Sequence, residues 1–207
     1  KSDIKKINYQ QIFFLFFSLV ISYLIVEVSD TKNLFLIFLF TFSILLFFIT
    51  LKDFFIKNLK ISQKLSHFAF SIFILSILLN GIYSKEISSN MKVGDELEFM
   101  DKLIKFKSLK NQKKDNYEAL KGEFEIIEKN QKSLFYYPEI RIYNQPNIFT
   151  SEADIKINFF SDNFFVFNLI KEDEYFNVRY QYKPMMLWIW ISVIFIAVGG
   201  IFAFFKK

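Results

Sequence analysis

The sequence predicts an α-helical membrane protein in which four transmembrane helices carry a small antiparallel β-domain, inserted before the last helix. Three observations predict it. Of the 207 residues, 53% are hydrophobic, 30 are Phe, and the mean hydropathy is positive at +0.26, a composition of membrane rather than purely soluble chains. Four apolar stretches each reach the length needed to cross about 30 Å of hydrocarbon. A long polar segment rich in short β-type runs separates the third from the fourth.

The spans are expected at 12–28, 34–51, 65–83 and within 185–207, so that residues 1–83 hold three helices, 84–184 the β-domain and 185–207 the last helix. The first does not read as a signal peptide, because no small-residue cleavage site follows Val28 and the chain promptly re-enters the membrane. The chain opens on Lys1 rather than Met, which fits a processed product or the C-terminal part of something longer.

Lysine placement sets the orientation. Lys1, Lys5 and Lys6 precede the first span, Lys52, Lys57, Lys60 and Lys64 lie between the second and third, and Lys206 and Lys207 close the chain. The turn Ser29–Asn33 holds only Lys32, beside Asp30. By the positive-inside rule both termini are cytoplasmic and 84–184 lies outside. The connection 51–64, "LKDFFIKNLKISQK", spaces Leu51, Phe54, Phe55 and Leu59 helically against its lysines. It is expected to form a short amphipathic helix on the cytoplasmic lipid surface.

Acidic and basic residues nearly balance in the polar segment, which leaves no basic patch for nucleic acid. "LIKFKSL", "GEFEIIEK", "SLFYYPEIRIY", "ADIKINFF", "NFFVFNLI" and "YFNVRYQY" alternate partially and are rich in Phe, Tyr, Ile and Val. They predict six or seven strands in a barrel or sandwich whose inner faces take up most of the aromatics. In the last span, Trp188 and Trp190 suit an interfacial belt. Gly199 and Gly200 suit close approach of another helix.

The chain has no Cys and a single His, which excludes disulfides, cysteine nucleophiles and poly-histidine metal sites within it. No Ser–His–Asp set or phosphate loop can be assembled, and Glu139, Glu152 and Asp154 read as solvated charges. His67 stands apart. Within a membrane segment an ionisable residue is a functional candidate, because hydrocarbon penalises an unpaired polar group. It reads either as a boundary histidine wetted by headgroup water or as an axial haem ligand, walled by Phe70, Ser71, Ile74 and Leu78 on one helical face.

The order of features now carries a resemblance: a span opening on "SHFA" (Ser66–Ala69) and ending at Gly81, a β-domain, then "YKPMMLWIW". Over about residues 35 to 205 this resembles the C-terminal portion of the CcmF family, the haem lyase component of system I cytochrome c maturation. "SHFA" is similar to that family's "AHLG"-type helix, with His67 retained and Ala69 in place of the glycine. Pro138, Glu139, Arg141, Tyr143, Ser151, Glu152, Ala153, Ile155, Asp162, Phe165 and Val166 match its β-domain stretch. Lys183, Pro184, Trp188, Trp190, Gly199 and Gly200 match its closing helix.

The resemblance implies that the chain is the C-terminal module of a cytochrome c haem lyase, serving covalent haem attachment to apocytochrome c. His67 would then be an axial ligand of haem b, its metal-binding and cofactor-binding residue, with the second axial histidine supplied by missing sequence or a partner chain. Implied partners are the remaining part of the lyase, the haem chaperone CcmE, apocytochrome c with its CcmH-type thiol-handling protein, and membrane lipid. The family's tryptophan-rich motif and further histidines are not in this sequence, so no thioether formation is expected from it alone. The alternative is a non-catalytic membrane scaffold with a periplasmic β-type binding domain and an incidental His67. A small transporter accessory subunit ranks third, lacking a polar stripe or a broken helix pair.

Overall fold

Each apolar stretch folds as one helix, because neither Pro nor a charge cluster interrupts it. In the computed structural model, which describes residues 9–129, 132–170 and 174–205, these are α1 (Tyr9–Val28), α2 (Leu34–Asp53), α3 (Ile61–Tyr83) and α4 (Met186–Phe205). All four are long and apolar enough to cross a membrane. Lys1, Lys5, Lys6, Lys206 and Lys207, on which part of the orientation expectation rests, lie outside the described residues. The chain divides into two compact units, one holding the helices and one spanning Ser84–Lys183.

Within the helical unit the contacts run α1 to α2, α2 to α3 and α3 to α4. Small residues occupy the contacts. Ser18 and Ser22 on α1 are buried and turn their hydroxyls onto their own helix, donating to Phe14 O (2.7 Å) and Ser18 O (2.6 Å), which satisfies them without a partner helix. On α4 a Cβ at Gly199 would meet Ser66 Oγ and come within 3.1 Å of Ser62 O and Ser66 N, so only glycine allows α3 this close. Gly200 corrects the expectation of a glycine pair, since nothing lies within 4 Å of its Cβ position. Consecutive helical residues point about 100° apart, and only one of the two can face α3.

Asn33 caps α2 by accepting from Phe35 N at 2.8 Å. In the preceding turn Lys32 pairs with Glu27 at 2.6 Å. The expected amphipathic helix over 51–64 does not form. Leu51–Asp53 still belong to α2, α3 begins at Ile61, and the residues between make turns. That interval is too short for a stable helix of its own. It is tied down by Lys64 Nζ donating to Phe54 O at 3.0 Å.

Among the described residues the second unit contains ten strands, not six or seven: β1 (Lys85–Met91), β2 (Glu96–Phe99), β3 (Lys102–Lys113), β4 (Tyr117–Glu128), β5 (Ser133–Tyr136), β6 (Glu139–Asn144), β7 (Asn147–Glu152), β8 (Asp154–Ile157), β9 (Ser161–Leu169) and β10 (Phe176–Pro184). They form a four-stranded sheet ordered β1-β10-β9-β8 and a six-stranded sheet ordered β2-β3-β4-β6-β7, with β5 also on β4. Pro138, which lacks an N–H, splits the expected single run into β5 and β6. β1 and β7 carry too few apolar residues to announce themselves.

The core lies between the sheets. Phe106 stacks on Phe124 at 4.2 Å, Phe124 meets Phe165 at 4.5 Å, and Phe167, Phe176, Tyr136 and Tyr180 complete the buried set. A Cβ at Gly122 would fall 2.6 Å from the Phe124 ring, so that ring occupies the space a side chain there would need.

Candidate functional site

α3 presents three different faces. Ser62, Ala69 and Ser76 are buried, and Ser62 and Ser66 line the Gly199 notch of α4. Phe68 and Ser71 turn towards α2. The Phe68 ring meets Phe47 at 5.4 Å and Phe54 at 5.1 Å, and Thr50 Oγ1 donates to Ser71 Oγ at 3.0 Å. Leu75, Leu78 and Leu79 pack into the same cluster as Phe40 and Ile44 of α2.

Among the described residues the third face is left open by the other helices. Gln63, His67, Phe70, Ile77 and Gly81 are exposed along it, with Ile74 half-buried. This corrects the expected wall around His67. Ser71 is buried against Thr50 and Leu78 packs into the α2 cluster, so of the four expected wall residues only Phe70 and Ile74 stay on the open face with His67.

His67 thus stands on an open apolar stripe, held in place because both neighbouring faces of its helix are fastened. Further along α3, Asn80 Nδ2 donates to Pro184 O and Tyr83 Oη to Ile25 O, each at 2.6 Å. Among the described residues no group of three His, Cys, Asp or Glu side chains comes together. The donor set therefore fits one axial position of a haem, with aliphatic and aromatic flanks for a porphyrin face. A complete coordination sphere does not fit within these residues.

The carboxylates of the β-domain serve the fold. Glu139 pairs with Arg141 at 3.0 Å and lies 3.8 Å from Lys121, Glu152 accepts from Thr150 Oγ1 at 3.1 Å, and Asp154 accepts from Tyr137 N at 2.7 Å. Residues 82–184 match the family description "CcmF C-terminal beta-sandwich". The chain corresponds to the C-terminal portion of the CcmF family. It is 26% identical over 161 residues to the cytochrome c-type biogenesis protein CcmF of Haemophilus influenzae, covering 75% of this chain and 25% of that one. To the Pseudomonas aeruginosa protein of the same name it is 26% identical over 141 residues, 68% of this chain and 22% of that one. A solved structure titled cytochrome c heme lyase CcmF shares the fold with a TM-score of 0.73 at 12% identity, over 96% of this chain and 34% of that one.

The chain spans about a quarter of the length of the curated CcmF relatives it matches. The four apolar helices and the antiparallel sandwich are features it shares with the solved CcmF fold. Two features escaped the sequence reading. The open stripe was signalled only indirectly, by the small residues Ser62, Ser66, Ala69 and Ser76 marking the opposite side of α3 as a packing face. Phe159 and Phe160, expected inside a strand, sit instead in a turn; two bulky residues where Gly or Asn is usual were the available signal.

Proposed function

We propose that this chain acts as the C-terminal module of a cytochrome c haem lyase, and that His67 supplies one axial ligand to a haem b completed by a histidine elsewhere in the lyase. The observation that carries the reading is the placement of the only imidazole on the one face of α3 that no other helix of the chain covers. His67 would hold the haem through a ring nitrogen. Phe70 and Ile74 would flank the group with apolar surface, and the Thr50–Ser71 bond and the Gly199 notch keep the helix from rotating. Bound there, haem b supplies one-electron redox chemistry, the kind suited to reducing the haem delivered by CcmE.

In the same reading the β-domain is periplasmic and both termini are cytoplasmic. Lys52, Lys57, Lys60 and Lys64 cluster between α2 and α3, whereas the α1–α2 turn has Lys32 alone. Apocytochrome c, its CcmH-type thiol-handling protein and the remainder of the lyase are the proposed partners.

The test is a reduced-minus-oxidised spectrum of the chain purified with the remaining lyase segment. His67→Ala should abolish most of the b-type signal while circular dichroism keeps the same helix content. A signal that is absent from the unsubstituted complex, or unchanged in the variant, overturns the assignment and favours the scaffold reading.

A further inference from the structure

The turn between β8 and β9 breaks the rules of its own geometry. It is a two-residue hairpin, closed by Asn158 N–H donating to Ser161 O at 3.0 Å, with Ile157 opposite Asp162 as the last strand pair. Loops of this length favour Asn, Asp and Gly, which turn tightly at little cost. Here the two loop residues are Phe159 and Phe160, 58% and 65% exposed, with rings set edge to face at 4.7 Å. The apolar character continues along β8, where Ile157 and Ile155 also point outward. A local rule broken at an exposed site marks function more often than packing.

Strand register places this tip within the sheet. Along β9 and β10 the side-chain contacts run Phe164 to Lys183, Phe165 to Tyr180 and Phe167 to Phe176, so the two strands are antiparallel. β1 is antiparallel to β10, with Lys85 opposite Tyr182. The hairpin tip therefore shares its end of the sheet with Lys85 and Lys183, where the chain enters and leaves the domain. Tyr83, the last residue of α3, and Met186, the first of α4, are each only a few residues along the chain from these lysines.

Charge at that end suits a lipid headgroup layer. Lys183 Nζ stands 5.5 Å from the Phe164 ring, Asp162 beside the tip is folded inward at 5% exposure, and Glu86, exposed next to Lys85, accepts from Gln181 Nε2 at 2.7 Å. Area separates lipid from protein as the occupant. Two Phe side chains offer roughly 300–500 Å² at most, below the about 800 Å² per side of a stable protein interface. It is enough for an aromatic anchor at a membrane surface.

We propose that the Phe159–Phe160 tip is a membrane-surface anchor of the β-domain, its rings entering the headgroup region of the bilayer that the helices cross. The proposal rests on the reading that those helices span a bilayer, and its test separates the two. The chain has no Cys, so a single substitution gives a unique labelling position. The full chain carrying Phe160→Cys, and separately Phe159→Cys, is nitroxide-labelled and reconstituted in vesicles of phosphatidylcholine and phosphatidylglycerol. Collision with oxygen, which concentrates in lipid, is compared with collision with a water-soluble nickel chelate.

Ile194→Cys on α4 and Lys114→Cys on the β3–β4 turn, both exposed positions, give the lipid and water references. Labels at 159 and 160 should lie between the two references, favouring oxygen severalfold over the Lys114 position. Labels as open to the chelate as Lys114, or shielded from both reagents as under a protein partner, overturn the anchor while the 194 label still reads lipid. A 194 label that itself reads water overturns the spanning helices, and the anchor falls with them.

Discussion

In the β-domain the buried side chains are mostly large, Phe106, Phe124, Phe165, Phe167, Tyr136 and Tyr180 among them, whereas in the helical unit Val26, Phe40 and Ile44 form one small apolar cluster, most other buried residues are small (Ser18, Ser22, Ser62, Ala69, Ser71 and Gly199), and Phe13, Phe16 and Ile194 face outward. The same chain thus packs by two opposite rules. Water around a domain drives its aromatic surface inward, in proportion to the apolar area removed. Lipid tails are as apolar as Phe, so nothing drives a large side chain into a helix contact, and close approach of backbones decides instead. The contrast also explains why the helical unit can leave a whole face of α3 open.

The largest expected effect tests the first rule. Phe124→Ala should cost the β-domain about 3–5 kcal/mol, the range for emptying a packed aromatic site, read as a lowered denaturation midpoint of the β-sheet signal. The matched change Phe13→Ala, at an exposed helix position, should stay within about 0.5 kcal/mol. Equal costs at the two positions would erase the comparison.

A smaller effect tests the second rule. Gly199→Ala should weaken α3–α4 packing by about 1–3 kcal/mol, because the new methyl meets Ser66 Oγ and, even if that hydroxyl turns away, stays within 3.1 Å of the backbone Ser62 O and Ser66 N. Gly200→Ala, in open space, should be silent. Loss of helix signal under graded detergent denaturation is the measurement, and equal behaviour of the two alanines contradicts the assigned contact.

The smallest effect concerns Asp162, a polar group inside the aromatic rule. Burial holds its carboxyl above the usual aspartate range, with a backbone hydrogen bond from Asn158 pulling weakly the other way, and its Oδ1 has no partner. A raised carboxyl means that the folded state binds its proton more tightly than the unfolded state does, so stability falls as pH rises from the unfolded value through the folded one. The penalty is complete once pH has passed the folded value. Asp162→Asn should therefore stabilise the domain by about 1 kcal/mol at neutral pH and lose that advantage on acidification below the unfolded aspartate range. A gain independent of pH would point to shape, not charge.

These two rules also explain what the sequence disclosed. A transmembrane helix is a one-dimensional signal, so α1 to α4 were legible, with ends shifted by a few residues where capping by Asn33 or the Ile61 turn decides. Central strands such as β3, β4, β9 and β10 were legible through their aromatic alternation. β1 and β2 were not, because "KEISSNM" and "ELEF" are strands only by virtue of the partners they pair with. His67 was legible as the lone imidazole. Its outward direction was not, because that depends on which faces of α3 the helices α2 and α4 take.

The pairing of β1 with β10 has an evolutionary and practical corollary. Since Lys85 lies opposite Tyr182, the ends of the sandwich emerge side by side, and the domain is a cassette plugged between two helices that already pack against each other. Such an insert can be exchanged, lengthened or grafted onto another helical hairpin without respacing α3 and α4. Selection on the cassette and selection on the helices that carry it are thereby free to run at different speeds.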